Sequence, residues 1–174
     1  MANTYTLISS VTVGSGGAAN ISFTSIPATY TDLLVKLSPR FSAASVNKAL
    51  LMKFNSDAST SNYKNKNLRG SGSSATSGSD EGYAGGYIAE LNADSTTSNT
   101  FSNVEIYIPN YLSSNYKSFS VDSVMENNAT TAYATLAANL WNSTSAITSI
   151  IFSEHTSSNF VQYSTAYLYG ISSS

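Results

Sequence analysis

Residues 130–141, TTAYATLAANLW, decide the fold class, because they are the one stretch rich enough in Ala and Leu to compete as a helix. Their Thr, Tyr and Asn content disfavours helix, and the alternation of side chains suits a strand. Ala132, Ala134, Leu136, Ala138 and Leu140 then share one face, and Tyr133, Thr135, Ala137, Asn139 and Trp141 the other. The same period of two runs outward in both directions. Leu33, Val35 and Leu37 alternate with Leu34 and Lys36. Leu50, Met52 and Phe54 alternate with Leu51 and Lys53. Val104, Ile106 and Ile108 alternate with Glu105 and Tyr107, and Phe119 and Val121 flank Ser120. Val11 and Val13, a GSGGAA turn, then Ile21 and Phe23 predict a first hairpin. Residues 147–152 are a short apolar run, and residues 160–171 close the chain with Tyr-rich alternation.

The pattern predicts nine or ten strands and no amphipathic helix long enough for a parallel crossover. An all-β, antiparallel two-sheet β-sandwich follows, with a jelly roll as the natural way to pack so many strands. The whole chain, 1–174, is expected to form a single sandwich domain. A long polar loop excursion is expected at about 55–86, where SGSSATSGS lies at the centre.

Composition narrows the function. Charged residues are 10% of 174, against about 25% in an ordinary soluble domain. Ser, Thr and Asn fill the difference at roughly 40%. With 12 Tyr and 7 Phe the chain is not disordered by composition. No Cys and one His exclude a disulfide scaffold, a thiolate metal site and a multi-His centre. A net charge of −2 gives no drive toward nucleic acid. The start, MANTYTLISS, has no basic region followed by an apolar run, and no segment has the length of a membrane helix. Assembly in a cytoplasm is therefore expected, with neither nucleic acid nor membrane as a partner.

The charge is unevenly placed. Residues 1–79 hold seven bases and two acids, and residues 80–174 hold one base and eight acids. Lys48, Lys53, Lys64, Lys66 and Arg69 are thus the candidate partner-binding residues, a basic stretch suited to an acidic surface. Interleaving of the two halves within one sandwich would instead neutralise them. Tyr83, Tyr87 and Trp141 are candidate aromatic contacts, since Tyr and Trp join an apolar ring to a polar tip. Catalysis has little support. His155 beside Glu154 lacks a nucleophile elbow. Asp80, Glu81, Asn92 and Asp94 offer oxygen ligands for calcium without a recognisable spacing. No catalytic residue, metal or cofactor is assigned.

Two stretches carry a resemblance. SVTVGSGGAANISFTSIPATYTDLLVKLSPR, residues 10–40, resembles the opening of a group of small virion structural proteins of marine and cyanobacterial phages, with an I-P-x-x-Y-T-D-L motif at Ile26, Pro27, Tyr30, Thr31, Asp32 and Leu33. The end is similar to their closing strands, with Ser164, Leu168, Tyr169, Gly170 and Ile171 in an S-x-x-x-L-Y-G-I pattern. The placement at the two ends suits a sandwich whose first and last strands pair. The resemblance implies a non-enzymatic virion protein, foremost a capsid decoration or cement protein that locks the head. A tail-fibre or appendage module that binds host glycans is the alternative. The partners implied are the major capsid protein or other virion proteins and further copies of the chain, with a trimer expected from the class.

Overall fold

The computed structural model describes residues 4–128 and 131–172. Twelve strands and no helix form among them. They are β1 (Tyr5–Thr12), β2 (Asn20–Phe23), β3 (Asp32–Ser38), β4 (Asn47–Phe54), β5 (Tyr63–Gly70), β6 (Ala75–Gly78), β7 (Gly86–Asn92), β8 (Asn103–Ile108), β9 (Lys117–Met125), β10 (Tyr133–Trp141), β11 (Ile150–Glu154) and β12 (Thr165–Ile171). Two antiparallel sheets make a β-sandwich. The larger has the order β1-β12-β3-β8-β9-β10-β5-β6 and the smaller β2-β11-β4-β7.

Period two explains the core. Leu33, Val35 and Leu37 of β3, Leu50, Met52 and Phe54 of β4, and Val104, Ile106 and Ile108 of β8 are all buried in one cluster shared by both sheets. Ser118, Ser120, Asp122 and Val124, which alternate with buried residues of β9, face outward.

Three expectations need correction. The segment 55–86 is not a loop throughout, since it holds β5, β6 and the first residue of β7. Its polar sequence conceals a strand because β5 leaves its even-numbered side chains in solvent and pairs along its whole length with β10. Secondly, β1 and β2 do not form a hairpin. β1 pairs with β12 and β2 with β11, so the GSGGAA turn carries the chain from one sheet to the other. Gly17 permits that passage with φ at 69°, and a Cβ there would press on the Phe160 carbonyl oxygen at 2.9 Å. Thirdly, β10 is a strand, but Trp141, expected as an aromatic contact, turns inward. Ala137, Asn139 and Trp141 are buried, while Leu136 is exposed. Size decides it: the indole fills space between the sheets that Ala and Leu on the other face would leave open. Thr130 lies outside the described residues.

The chain ends interlock. β12 lies between β1 and β3, so the opening and closing stretches become neighbours. Gly170 of β12 abuts the ring of Tyr30, and a Cβ at 170 would overlap that ring. Asp32 accepts hydrogen bonds from the Tyr107 hydroxyl at 2.7 Å and the Asn110 amide at 2.8 Å. The Tyr111 hydroxyl donates to the Pro27 carbonyl. Tyr30, Asp32, Pro27 and Gly170 therefore tie the β2–β3 connection and the start of β3 to β12, β8 and the loop after β8. Gly170→Ala is expected to cost about 1–3 kcal/mol through overpacking. In denaturant titrations the Tyr30→Ala/Gly170→Ala pair should be less destabilised than the two single costs added together. Simple additivity would refute the contact.

Candidate interaction surface

Beyond β8 the large sheet continues as β9-β10-β5-β6, and the pairing register fixes what its outer face displays. One row runs Tyr107, Ser120, Ala138, Lys66, and the next Glu105, Asp122, Leu136, Leu68, Ser77. Small Ser120 and Ala138 lie low between taller neighbours. They help line an open trough of about 600 Å³, which Leu68, Leu136 and Tyr107 also line. Leu136 is 60% and Leu68 55% exposed, and Val124 is exposed as well. Leu68 and Leu136 are cross-strand neighbours on one face, which makes this face the candidate interaction surface. At Pro109 and Ser118 the trough meets a second hollow of about 410 Å³ whose lining includes Asn110, Asn115 and Tyr116. Asp122 sits beside the leucines and makes no salt bridge among the described residues.

Beneath this face lies the anchor. The Phe54 ring of the small sheet contacts Phe119 of β9 at 5.3 Å, Trp141 of β10 at 5.2 Å and Tyr63 of β5 at 6.4 Å. The Tyr63 hydroxyl accepts from the Phe54 amide and donates to the Asp57 carbonyl, and burial pushes its pKa up. Asp57 accepts from the Trp141 indole N–H at 2.8 Å and from Asn62 Nδ2 at 2.8 Å. Burial alone would raise the Asp57 carboxyl. The hydrogen bonds from Asn62, Trp141 and Ser59 outweigh it and hold the group below its usual value. Lys117 is buried with its ammonium on the carbonyls of Ser113, Asn115 and Ser143, and desolvation lowers its pKa.

The basic candidates are dispersed. Lys64 and Lys66 lie on the outer face, and both bind Glu81, at 2.9 and 3.3 Å. Those two hydrogen-bonded cations hold the Glu81 carboxyl low. Arg69 stacks on Tyr133 at 4.6 Å, on the opposite face of β5. Lys48 and Lys53 belong to β4 in the small sheet, where Lys48 donates to the Thr156 hydroxyl. Arg40, from the same basic run, is buried and binds Thr96 Oγ1 together with carbonyls of the 94–100 turn. The structure thus brings Lys64 and Lys66 together and leaves the other three candidates apart.

The aromatic candidates also separate. Trp141 as a surface contact is corrected, since it is 2% exposed and belongs to the core anchor. Tyr87 is buried and donates to Glu90. Tyr83 lies 5.3 Å from the Tyr87 ring and edge-on to His155 at 4.7 Å. Asp80 receives Asn67 Nδ2 at 2.6 Å, and Glu81 binds Lys64 and Lys66. Among the described residues no group of three or more His, Cys, Asp or Glu could hold a metal ion. Sequence reasoning missed Leu68 and Leu136. Their signal was phase: Leu68 is in step with the solvent-facing Lys64 and Lys66, not with buried Tyr63 and Asn65.

No family model, curated protein or solved structure matches the chain.

Trp141→Ala should destabilise the protein by about 3–5 kcal/mol. Hydrogen exchange should accelerate more in β5 and β10 than in β12, and uniform acceleration would contradict an anchoring role. Asp57 also predicts an acid limb. Because its folded pKa is depressed, its contribution is complete above the ordinary carboxylate value near 3.8 and lost as pH falls through the folded value. Glu154 acts in the same direction: burial opposes its ionisation, but the Ser158 and Thr156 donors prevail. Denaturant midpoints followed with falling pH should drop less steeply in Asp57→Asn than in the unaltered chain.

Proposed function

We propose that the chain is a structural binding protein of a phage virion, foremost a head decoration protein, and that it docks on capsid through the outer face of β9-β10-β5-β6. The observation that carries this is the trough with Leu68 and Leu136 at its centre, on strands that extend the large sheet to twice the width of the small one. With those four strands set aside, the remaining eight, numbered in chain order, stand as 1-8-3-6 and 2-7-4-5. That is the strand order of a jelly roll, so we read the molecule as a jelly roll with a grafted four-stranded extension. Function in such folds resides in what is grafted on the common frame.

The chemistry of the face favours protein over sugar. Its centre is aliphatic, and its rim alternates Lys64, Lys66 and Glu81 with Glu105 and Asp122, which makes no salt bridge among the described residues. A capsid surface presenting apolar side chains and a base opposite Asp122 would complement it. Lys64 and Lys66, already paired with Glu81, then guide orientation and supply little affinity. The resemblance of residues 10–40 and of the closing strands supports the virion assignment, and these stretches meet as β1, β12 and β3.

The exposed Tyr116 beside Asn110 and Asn115 supports a second reading, an appendage tip that binds host glycans. Co-sedimentation with capsids stripped of minor proteins separates the two. The unaltered chain should bind in fixed proportion to the capsid lattice. Leu68→Asp/Leu136→Asp should lose at least tenfold in affinity, about 1.4 kcal/mol, while keeping its far-ultraviolet dichroism. Undiminished capsid binding by that folded variant would refute the docking face. Glycan binding that Tyr116→Ala abolishes, without capsid binding, would favour the second reading.

A further inference from the structure

The two sheets end in four edge strands, and they differ in protection. β2 and β6 are four residues long. β7 receives a hydrogen bond on its Tyr87 carbonyl from Asn65 Nδ2 of β5, so its edge is partly covered. β1 is eight residues long, YTLISSVT, with no charge and no proline. An exposed uncharged edge of this length is a template for another strand, and proteins that stay single usually interrupt it with Lys or Pro. Tyr5 and Leu7 add apolar side chains to it, 56% and 52% exposed.

The outward polar groups of β1 follow from the ladder. The Ile171 carbonyl of β12 accepts from the Thr31 amide on the β3 side, and the Ser172 amide donates to the Thr4 carbonyl on the β1 side. Thr6, Ser9 and Val11, opposite Gly170, Leu168 and Ala166, therefore direct their amides and carbonyls to β12. Tyr5, Leu7, Ser10 and Thr12 direct theirs away from the sheet.

We propose that β1 pairs antiparallel with β1 of a second copy of this chain, so that the two large sheets join into one across a two-fold axis. The register shift between Leu7 and Ser9 makes this self-pairing consistent. It inserts Ile8 and leaves Tyr5, Leu7, Ser10 and Thr12 all on the outer face. With the axis between positions 8 and 9, Leu7 meets Ser10 of the copy, Tyr5 meets Thr12, and Thr6 meets Val11. Every pair then matches outer face with outer face and inner with inner, and the outward amides meet outward carbonyls. An unshifted strand of eight residues would not match faces about that axis. Uncharged sequence removes the like-charge repulsion that would oppose two identical strands.

This inference uses β1 and is independent of the docking face on β9-β10-β5-β6. Sedimentation equilibrium of the purified chain tests it. The unaltered protein should reach twice the 18.4 kDa chain mass. Ser10→Pro removes one outward amide without touching the β12 ladder, and Ser10→Lys sets a charge against Leu7 of the copy in both symmetry-related pairs. Both should sediment as single chains with unchanged dichroism, and the Leu7 amide should exchange faster in them than in the unaltered protein. Should Ser10→Pro fail to fold, Ser10→Lys decides alone. A single-chain mass for the unaltered protein, or a pair that persists in folded Ser10→Lys, would overturn the proposal. Leu68→Asp/Leu136→Asp should leave the pair intact.

Discussion

The Phe54 ring is the contact on which the candidate surface depends. It is the small sheet's contribution to a cluster whose other members, Tyr63, Phe119 and Trp141, come from β5, β9 and β10. The small sheet has four strands against eight, and β7 packs beside this cluster on β5, β9 and β10. Four rings gathered at one point, with the Asp57 carboxylate tying Trp141 to the turn after β4, bind the extension down. Large buried aromatics dominate such a junction because each removes much apolar area from water. The inner face is thereby committed to the core, and the outer face keeps its leucines exposed.

This division explains the economy of charge. Ten acids and eight bases serve mostly local tasks. Arg40 and Lys117 are spent on backbone carbonyls, and Glu154 on the amides of its own turn. Lys36 meets Glu105, and Lys64 and Lys66 share Glu81. The basic first half and acidic second half thus interleave on the sandwich. The strong contrast along the chain becomes a near-neutral surface, on which exposed Leu68 and Leu136 stand out more than any field.

Much of the fold was legible because period two is unambiguous where apolar and polar side chains differ sharply, as in β3, β4 and β8. It failed where both faces look alike. In β10 both faces carry apolar side chains, Trp141 and Asn139 point inward, and no local signal ranks one large indole against several small side chains. In β5 the inward residues include Asn65 and Asn67, polar side chains satisfied by Asn139 and Asp80, so the strand resembles a loop. The pairing of β1 with β12 agrees with the expectation that the first and last strands meet. The turn between β1 and β2 was not anticipated, since a glycine-rich hexapeptide can close a hairpin or cross between sheets. Leu68 and Leu136 lie on β5 and β10, one resembling a loop and the other alike on both faces, so the surface they mark was hidden.

Hydroxyl-radical footprinting of the free chain and of the chain bound to capsid tests the central claim most directly. Labelling at Leu68, Leu136 and Tyr107 should be strong in the free protein and suppressed in the bound one. Tyr163, exposed on the β11–β12 connection, should be labelled equally in both. Equal labelling of the two leucines in free and bound protein would contradict it.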